Sequence, residues 1–193
     1  MSKIFQLPEE ELCDESFDVG VLKAWFYESS DVDTTTVDSD TETITAFALK
    51  EGKKLVTVAF DDETASLNSE HSEGKRSKVT QNLSLFFEGL TSFKRKILKS
   101  YKDCRCLSAF VKDANGRIWS CGTQIVKGKL YYKYKTNGGG STNTQTSISD
   151  EDSGFQRVYR WTVKDDPIEI TAKGDAADVE TFLNGLSAAV SSN

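Results

Sequence analysis

The sequence predicts a mainly β (α+β) fold: an antiparallel β-sandwich or barrel with one helix packed after a central strand and a second helix near the C-terminal end. Three observations predict it. Apolar and polar residues alternate with period two in about eight short segments. The pair Asn115-Gly116 stands between two such segments, a strong short-range hairpin signal. Two other segments switch to the helical period.

Val19 to Tyr27 (VGVLKAWFY) is rich in β-branched and aromatic residues and reads as a strand. Ser29 to Thr43 is polar and acidic, a loop or ragged hairpin. Glu42 to Leu49 and Lys54 to Phe60 alternate and read as strands, the second with Leu55, Thr57 and Ala59 on one face and Val56, Val58 and Phe60 on the other. Asp61 to Ser77 has little pattern and is expected to be a long loop. Val79 to Phe87 resumes the alternation, with Val79, Leu83, Leu85 and Phe87 on one face and Gln81 as the exception.

Leu90, Phe93, Ile97, Leu98 and Tyr101 then form one apolar helical stripe. Lys94, Arg95, Lys99 and Lys102 fill its other face, and Thr91 or Ser92 can cap its start. Cys104 to Lys112 is apolar on both faces in places, as a central strand is. Asn115-Gly116 is expected to form a type I′ turn into Arg117 to Val126, and Lys127-Gly128 turns the chain again into Lys129 to Lys135. Thr136 to Gly154 has four glycines and one apolar residue and is expected to be a long loop of the kind that carries function. Phe155 to Val163 and Ile168 to Ala172 are strands. Asp175 is the expected N-cap of the last helix, whose stripe is Val179, Phe182, Leu183, Leu186 and Val190. The division that follows is an acidic arm over 1–18, a β-sandwich domain over 19–174 and a C-terminal helix over 175–193.

The 193 residues carry formal net charge −6, unevenly placed. Residues 1–45 hold twelve Asp/Glu against Lys3 and Lys23, while residues 74–135 hold fifteen Lys/Arg against Glu88, Asp103 and Asp113. Such a chain can be complementary to itself across a subunit interface, or within one fold, or can simply carry two solvated surfaces. The N-terminus has no basic stretch followed by an apolar run, so no signal peptide is expected, and no apolar stretch is long enough to predict membrane insertion. Assembly in the cytoplasm is the expectation.

Catalytic chemistry finds little to use. The four cysteines, Cys13, Cys104, Cys106 and Cys121, lack zinc-knuckle spacing and read as reduced thiols. The single histidine, His71, lies in the polar run SEHSEGKRS and reads as a surface residue, not the base of a triad. Paired carboxylates fall in acidic runs, including Asp150, Glu151 and Asp152. Gly138-Gly139-Gly140 is not followed by the Lys-Ser/Thr of a phosphate loop and fails the G-x-G-x-x-G spacing. No enzyme, metal or cofactor is expected. Tyr131, Tyr132 and Tyr134 interleave with Lys129, Lys133 and Lys135, which suits either a stacking surface for nucleic acid or ordinary strand alternation.

The order of segments from Ser30 to Gly122 is informative. An acidic loop, strand, Gly-Lys-Lys turn and strand (SDVDTTTVDSDTETITAFALKEGKKLVTVAF) precede Thr64-Ala65-Ser66 and the strand QNLSLFF. The basic helix LTSFKRKILKSY and the hairpin LSAFVKDANGRIWSCG follow. This succession, about half of the chain, resembles the tail tube proteins of phages and prophages of gut Bacteroidetes, which are similar in fold to the tubes of type VI secretion and contractile injection systems. The resemblance implies a structural virion protein located in the tail. Copies of the chain would close into a hexameric ring and contact other tail or neck proteins, and DNA would pass through the lumen during ejection without specific binding. The loop residues Asn137, Gly138, Gly139, Gly140, Asp150, Glu151 and Asp152 would then be candidates for contact with the next ring. The acidic arm and the helix after Ile170 depart from the simple pattern and leave tube subunit, hub and adaptor ring all open. The alternative expectation is a nucleic-acid-binding module using helix 90–102 and strand 129–135, and a β-sandwich adhesion or carbohydrate-binding domain is a third.

Overall fold

The computed structural model of the protein describes residues 20–60, 65–72, 78–88, 106–132, 137–143 and 154–187. The strands are β1 (Val21–Glu28), β2 (Val32–Val37), β3 (Ile44–Leu49), β4 (Val56–Ala59), β5 (Ala65–Ser72), β6 (Lys78–Glu88) and β7 (Leu107–Asp113). They continue as β8 (Ile118–Cys121), β9 (Thr123–Val126), β10 (Lys129–Tyr132), β11 (Asn137–Asn143), β12 (Gly154–Val163) and β13 (Ile168–Glu169). One helix, α1 (Val179–Gly185), and a single 3-10 turn at Ser29–Asp31 complete the described elements. The fold is mainly β, as the alternation predicts.

A five-stranded sheet runs β13-β8-β7-β1-β4 and a four-stranded sheet runs β11-β12-β6-β5. The pairs β2-β3 and β9-β10 make two further ribbons. Strand pairing within these sheets is antiparallel. The five-stranded sheet is buried on both faces. Ala24, Phe26, Leu107, Ala109, Val111 and Cys121 meet Val79, Leu83, Leu85, Tyr159, Trp161 and Val163 of the four-stranded sheet in an inner core. On the opposite face, Trp25, Tyr27 and Phe110 meet Ile44, Phe47, Ile168, Ile170 and Leu183 in an outer core. The period of two along β1 and β7 sends alternate residues to these two cores. β7 lies between β8 and β1, so the expectation of a central strand over Cys104 to Lys112 holds for its described part.

Gln81, the exception in its apolar row, is fully buried and satisfied at both ends. Its Nε2 donates to the Asp165 carbonyl at 2.9 Å, and its Oε1 accepts from the Gly122 N–H at 2.9 Å. The Asp165 carboxylate in turn accepts from the Ile125 N–H at 2.6 Å. A buried amide so paired costs little, whereas an unpaired one would cost about 1–3 kcal/mol.

The structure corrects several expectations. Asp61 to Ser77 is not wholly a loop: Ala65–Ser72 is strand β5, paired with β6 from Ala65↔Leu85 to Ser72↔Lys78. Its residues are polar on both faces beyond Leu67, so it shows no alternation, and pairing with β6 supplies what pattern does not. Asn137, Gly138, Gly139 and Gly140 likewise lie in strand β11, paired with β12 from Asn137↔Arg160 to Asn143↔Gly154. Glycine and asparagine are poor strand formers, and a neighbouring backbone ladder overrides that preference.

Arg117 to Val126 is two strands, not one. Gly122 (φ +80°) bends the chain so that β8 stays in the five-stranded sheet while β9 leaves it for β10. A Cβ there would stand 2.8 Å from the Trp161 ring. The Asn115-Gly116 hairpin exists, but its turn is not type I′: only Gly116 has positive φ. The Gly116 N–H bonds the Asp113 carbonyl and the Asp113 N–H bonds the Arg117 carbonyl, a three-residue loop with glycine in the left-handed position. Lys127 (φ 52°) and Gly128 (φ 71°) form the two-residue turn with both angles positive. Ser29 to Thr43 resolves into β2 and the turn into β3, with two register shifts.

The last helix begins later than Asp175. The chain first turns, with the Ala176 N–H on the Lys173 carbonyl, and Asp178 is the N-cap, accepting from the Thr181 N–H at 2.6 Å. Residues 1–18, helix 90–102 with Lys94, Arg95, Lys99 and Lys102, and Asp150, Glu151 and Asp152 lie outside the described residues.

Candidate assembly edges

Among the described residues, β4 ends the five-stranded sheet and β5 and β11 end the four-stranded one. The edge of β4 is chemically plain. Leu55 to Phe60 reads LVTVAF, with no charge and no proline, the devices that usually blunt an edge. Val56 is 42% exposed. The Phe60 N–H bonds the Leu22 carbonyl, and the register Ala24↔Val58 and Phe26↔Val56 continues from it. Antiparallel geometry therefore turns the backbone of Val56, Val58 and Phe60 toward β1 and that of Leu55, Thr57 and Ala59 outward.

The outward side is engaged at its start. The Leu55 N–H donates to the Leu186 carbonyl at 3.0 Å, and Leu55 and Ser187 form a parallel bridge. Thr57 Oγ1 donates to Ser187 Oγ at 2.8 Å, and Ser187 Oγ donates to the Leu183 carbonyl at 2.9 Å. Leu186 follows α1, which is held on the five-stranded sheet by Leu183 in the outer core and by polar contacts at its rim. Glu180 accepts from Lys23 Nζ of β1 at 2.9 Å and from Lys112 Nζ of β7 at 2.6 Å. These lysines hold its carboxyl below the ordinary value, Lys112 more than Lys23. Trp25 Nε1 donates to Asn184 Oδ1 at 3.1 Å. Asp178 is also lowered, chiefly by the Thr181 backbone N–H it accepts.

The far face of the four-stranded sheet carries a polar row. Asn68, Asn82 and Arg160 stand directly opposite one another across β5, β6 and β12. Asn82 donates to Asn68 and Glu70 and accepts from Arg160 Nε at 2.8 Å. At the edge, Asn137 is the register partner of Arg160.

His71 is on strand β5, opposite Val79, and its Nε2 lies 3.1 Å from Asp166 Oδ1. The pair borders an open groove of about 460 Å³ that Thr41, Glu42, Trp119, Lys164 and Glu169 also line. No serine or cysteine is among its described lining, so it offers no Ser–His or Cys–His pair. Cys121 is buried in the inner core, which raises its thiol, and Cys106 is half-buried; neither is in a disulfide. No group of three or more metal-ligating side chains occurs among the described residues.

Of the residues singled out in the sequence, Asn115 and Gly116 are a structural turn and Asn137–Gly140 an edge strand. In β10, Tyr131 is 48% exposed and Tyr132 packs against the outer core, its hydroxyl pushed up to about 12 by burial. The clasp on Glu180 had no sequence signal: Lys23 and Lys112 are 157 and 68 residues from it. No described helix is long and apolar enough to cross a membrane. Comparison with family models, with characterised proteins and with solved structures finds no match.

Proposed function

We propose that this chain is a structural virion protein that assembles with copies of itself into rings of a phage tail, as tube subunit, hub or adaptor. The observation that carries the reading is the outer strand β4, uncharged, without proline and covered among the described residues only from its start, by Leu186 and Ser187, on a sandwich that also ends in the edge strands β5 and β11. Such edges are a liability in a monomer and are satisfied by pairing around a closed ring. The segment order of residues 30–122 supports the same reading, and the separation of acidic and basic segments along the chain gives copies a basis for attraction. A net charge of −6 suits a lumen that passes DNA without holding it. Ring number and stacking partner follow only from the resemblance.

The test is light scattering over a concentration series, paired with a DNA-binding titration against salt. The proposal expects mass to rise with concentration toward a closed multiple of the protomer, and little DNA affinity at any salt. A chain that stays monomeric throughout, and binds DNA with an affinity falling steeply as salt rises, is the nucleic-acid-binding module instead.

A further inference from the structure

We infer that α1 and the residues up to Ser187 form a releasable strap over the start of the β4 edge, and that lifting it turns β4 into a pairing edge for a second copy of the chain. The second half of this inference rests on the self-assembly reading above; the first half does not.

The strap has the build of a detachable element. α1 has seven residues, well short of the roughly 12–15 at which an isolated helix becomes even marginally stable in water. Its place depends on contacts to the sheet. Leu183 is the one helix residue that is fully buried; Val179 and Phe182, and Leu186 just beyond, are only partly so. Its ion pairs are near the surface, with Glu180 between Lys23 and Lys112 and all three side chains 21–31% exposed, and two neutral bonds, Trp25 to Asn184 and Thr57 to Ser187, complete the polar fastening. Exposed ion pairs of this kind are individually weak, and elements so held belong to the low end of local stability.

What the strap covers is specific. Among the described contacts, the Leu55 N–H to Leu186 bond and the Leu55↔Ser187 bridge occupy the first outward-facing backbone position of β4. Thr57 and Ala59 are the next two outward positions by register. Among the described residues, removing Leu186 and Ser187 would leave three consecutive outward positions on an uncharged, β-branched strand. That geometry accepts an added strand through main-chain hydrogen bonds. The occupant is a second copy: in the sequence Lys53-Lys54 precede the uncharged strip LVTVAF and Asp61-Asp62 follow it, so antiparallel pairing of two copies brings opposite charges together at both ends.

Glu180→Lys places three cations together and should lift the strap. Hydrogen exchange by NMR on the full chain is expected to show the Leu55 amide exchanging about tenfold faster or more, with the Ala24 and Val111 amides of the sheet interior unchanged. Sedimentation velocity is expected to show association rising with concentration more than in the unaltered chain. Adding Lys23→Glu and Lys112→Glu to Glu180→Lys restores the pair with signs reversed and should return both readouts. Adding Thr57→Pro to Glu180→Lys removes an outward-facing donor without touching the bonds to β1, a change an edge strand tolerates, and should abolish the extra association.

An unchanged Leu55 amide in Glu180→Lys overturns the strap. A faster Leu55 amide with no gain in association, or with a gain that survives Thr57→Pro, overturns β4 as the pairing edge. The second result would take β4 out of the assembly reading, whereas the mass of the unaltered chain over a concentration series tests that reading by itself, so the two failures are distinguishable.

Discussion

The two faces of the five-stranded sheet are covered in different ways. The inner face meets another sheet through large, fully buried side chains, with Trp161, Leu83 and Leu85 packed against Phe26, Ala109 and Val111. The Trp161 indole N–H donates to the Leu107 carbonyl at 2.8 Å, so a single residue packs the core and bonds the opposite sheet. The Gln81 amide fixes the bend at Gly122 from inside. The outer face is covered in pieces: the β2-β3 and β9-β10 ribbons and α1 each bring a few apolar residues, and α1 is fastened at its rim by side chains in contact with water. The difference teaches where the molecule can change shape. A sheet-on-sheet core opens only as a whole, whereas a short helix on a sheet opens by itself.

The largest way to break this contrast is Trp161→Ala. It removes a buried indole and its hydrogen bond and should cost about 3–5 kcal/mol, read as a lowered midpoint in chemical denaturation with unfolding still cooperative. A loss below about 1 kcal/mol would mean the inner core is not continuous. Gln81→Ala should come next, near 1–3 kcal/mol, because the Gly122 N–H is left buried without its acceptor. Glu180→Ala should cost the global fold only about 0.2–1 kcal/mol while exchange at Leu55 accelerates. The two faces are then separable: the inner-core variants move the global transition, and the outer one moves a local opening.

Acid sharpens the same comparison. Glu180 and Asp178 both have carboxyls held below their ordinary values in the folded chain. A depressed carboxylate contributes stability that is fully present above its unfolded value and is lost as pH falls through the folded one. Glu180 faces Lys23 of β1 and Lys112 of β7, with Asp178 beside it at the start of its own helix. The strap should therefore hold at neutral pH and loosen as pH drops below 4.5, the ordinary value for glutamate, before the sheet core responds. Hydrogen exchange at Leu55 between pH 6 and the onset of global acid unfolding checks the order of events; simultaneous loss of strap and core would contradict it.

Much of the fold was legible because burial imposes a period. β4, β6 and β12 show the two-residue alternation of strands with one face in the core, β1 and β7 are the apolar runs of strands covered on both faces, and Gln81 is the one break in the apolar row of β6. β5 was not legible, because Ser69 and His71 occupy the positions where apolar residues would mark the inner face. β11 was not legible because its glycines carry no pattern. The division at Gly122 is a backbone event, driven by the close approach of Trp161, and one glycine in a β-rich run does not announce it. Asn115-Gly116 marked a hairpin correctly, but the additional bonds of Asp113, to the Arg117 N–H and the Trp119 indole, favour the longer loop. The candidate site was the least legible part. Which strands end a sheet depends on long-range order, and the Glu180 clasp joins residues far apart in the chain.

The central claim, that the chain builds rings, is tested most directly by negative-stain imaging of the purified protein near its highest soluble concentration. The account predicts closed rings or stacked tubes of uniform diameter, with a symmetry that separates tube from hub. Isolated particles of monomer size in every field, at concentrations where scattering also reports a monomer, would contradict it.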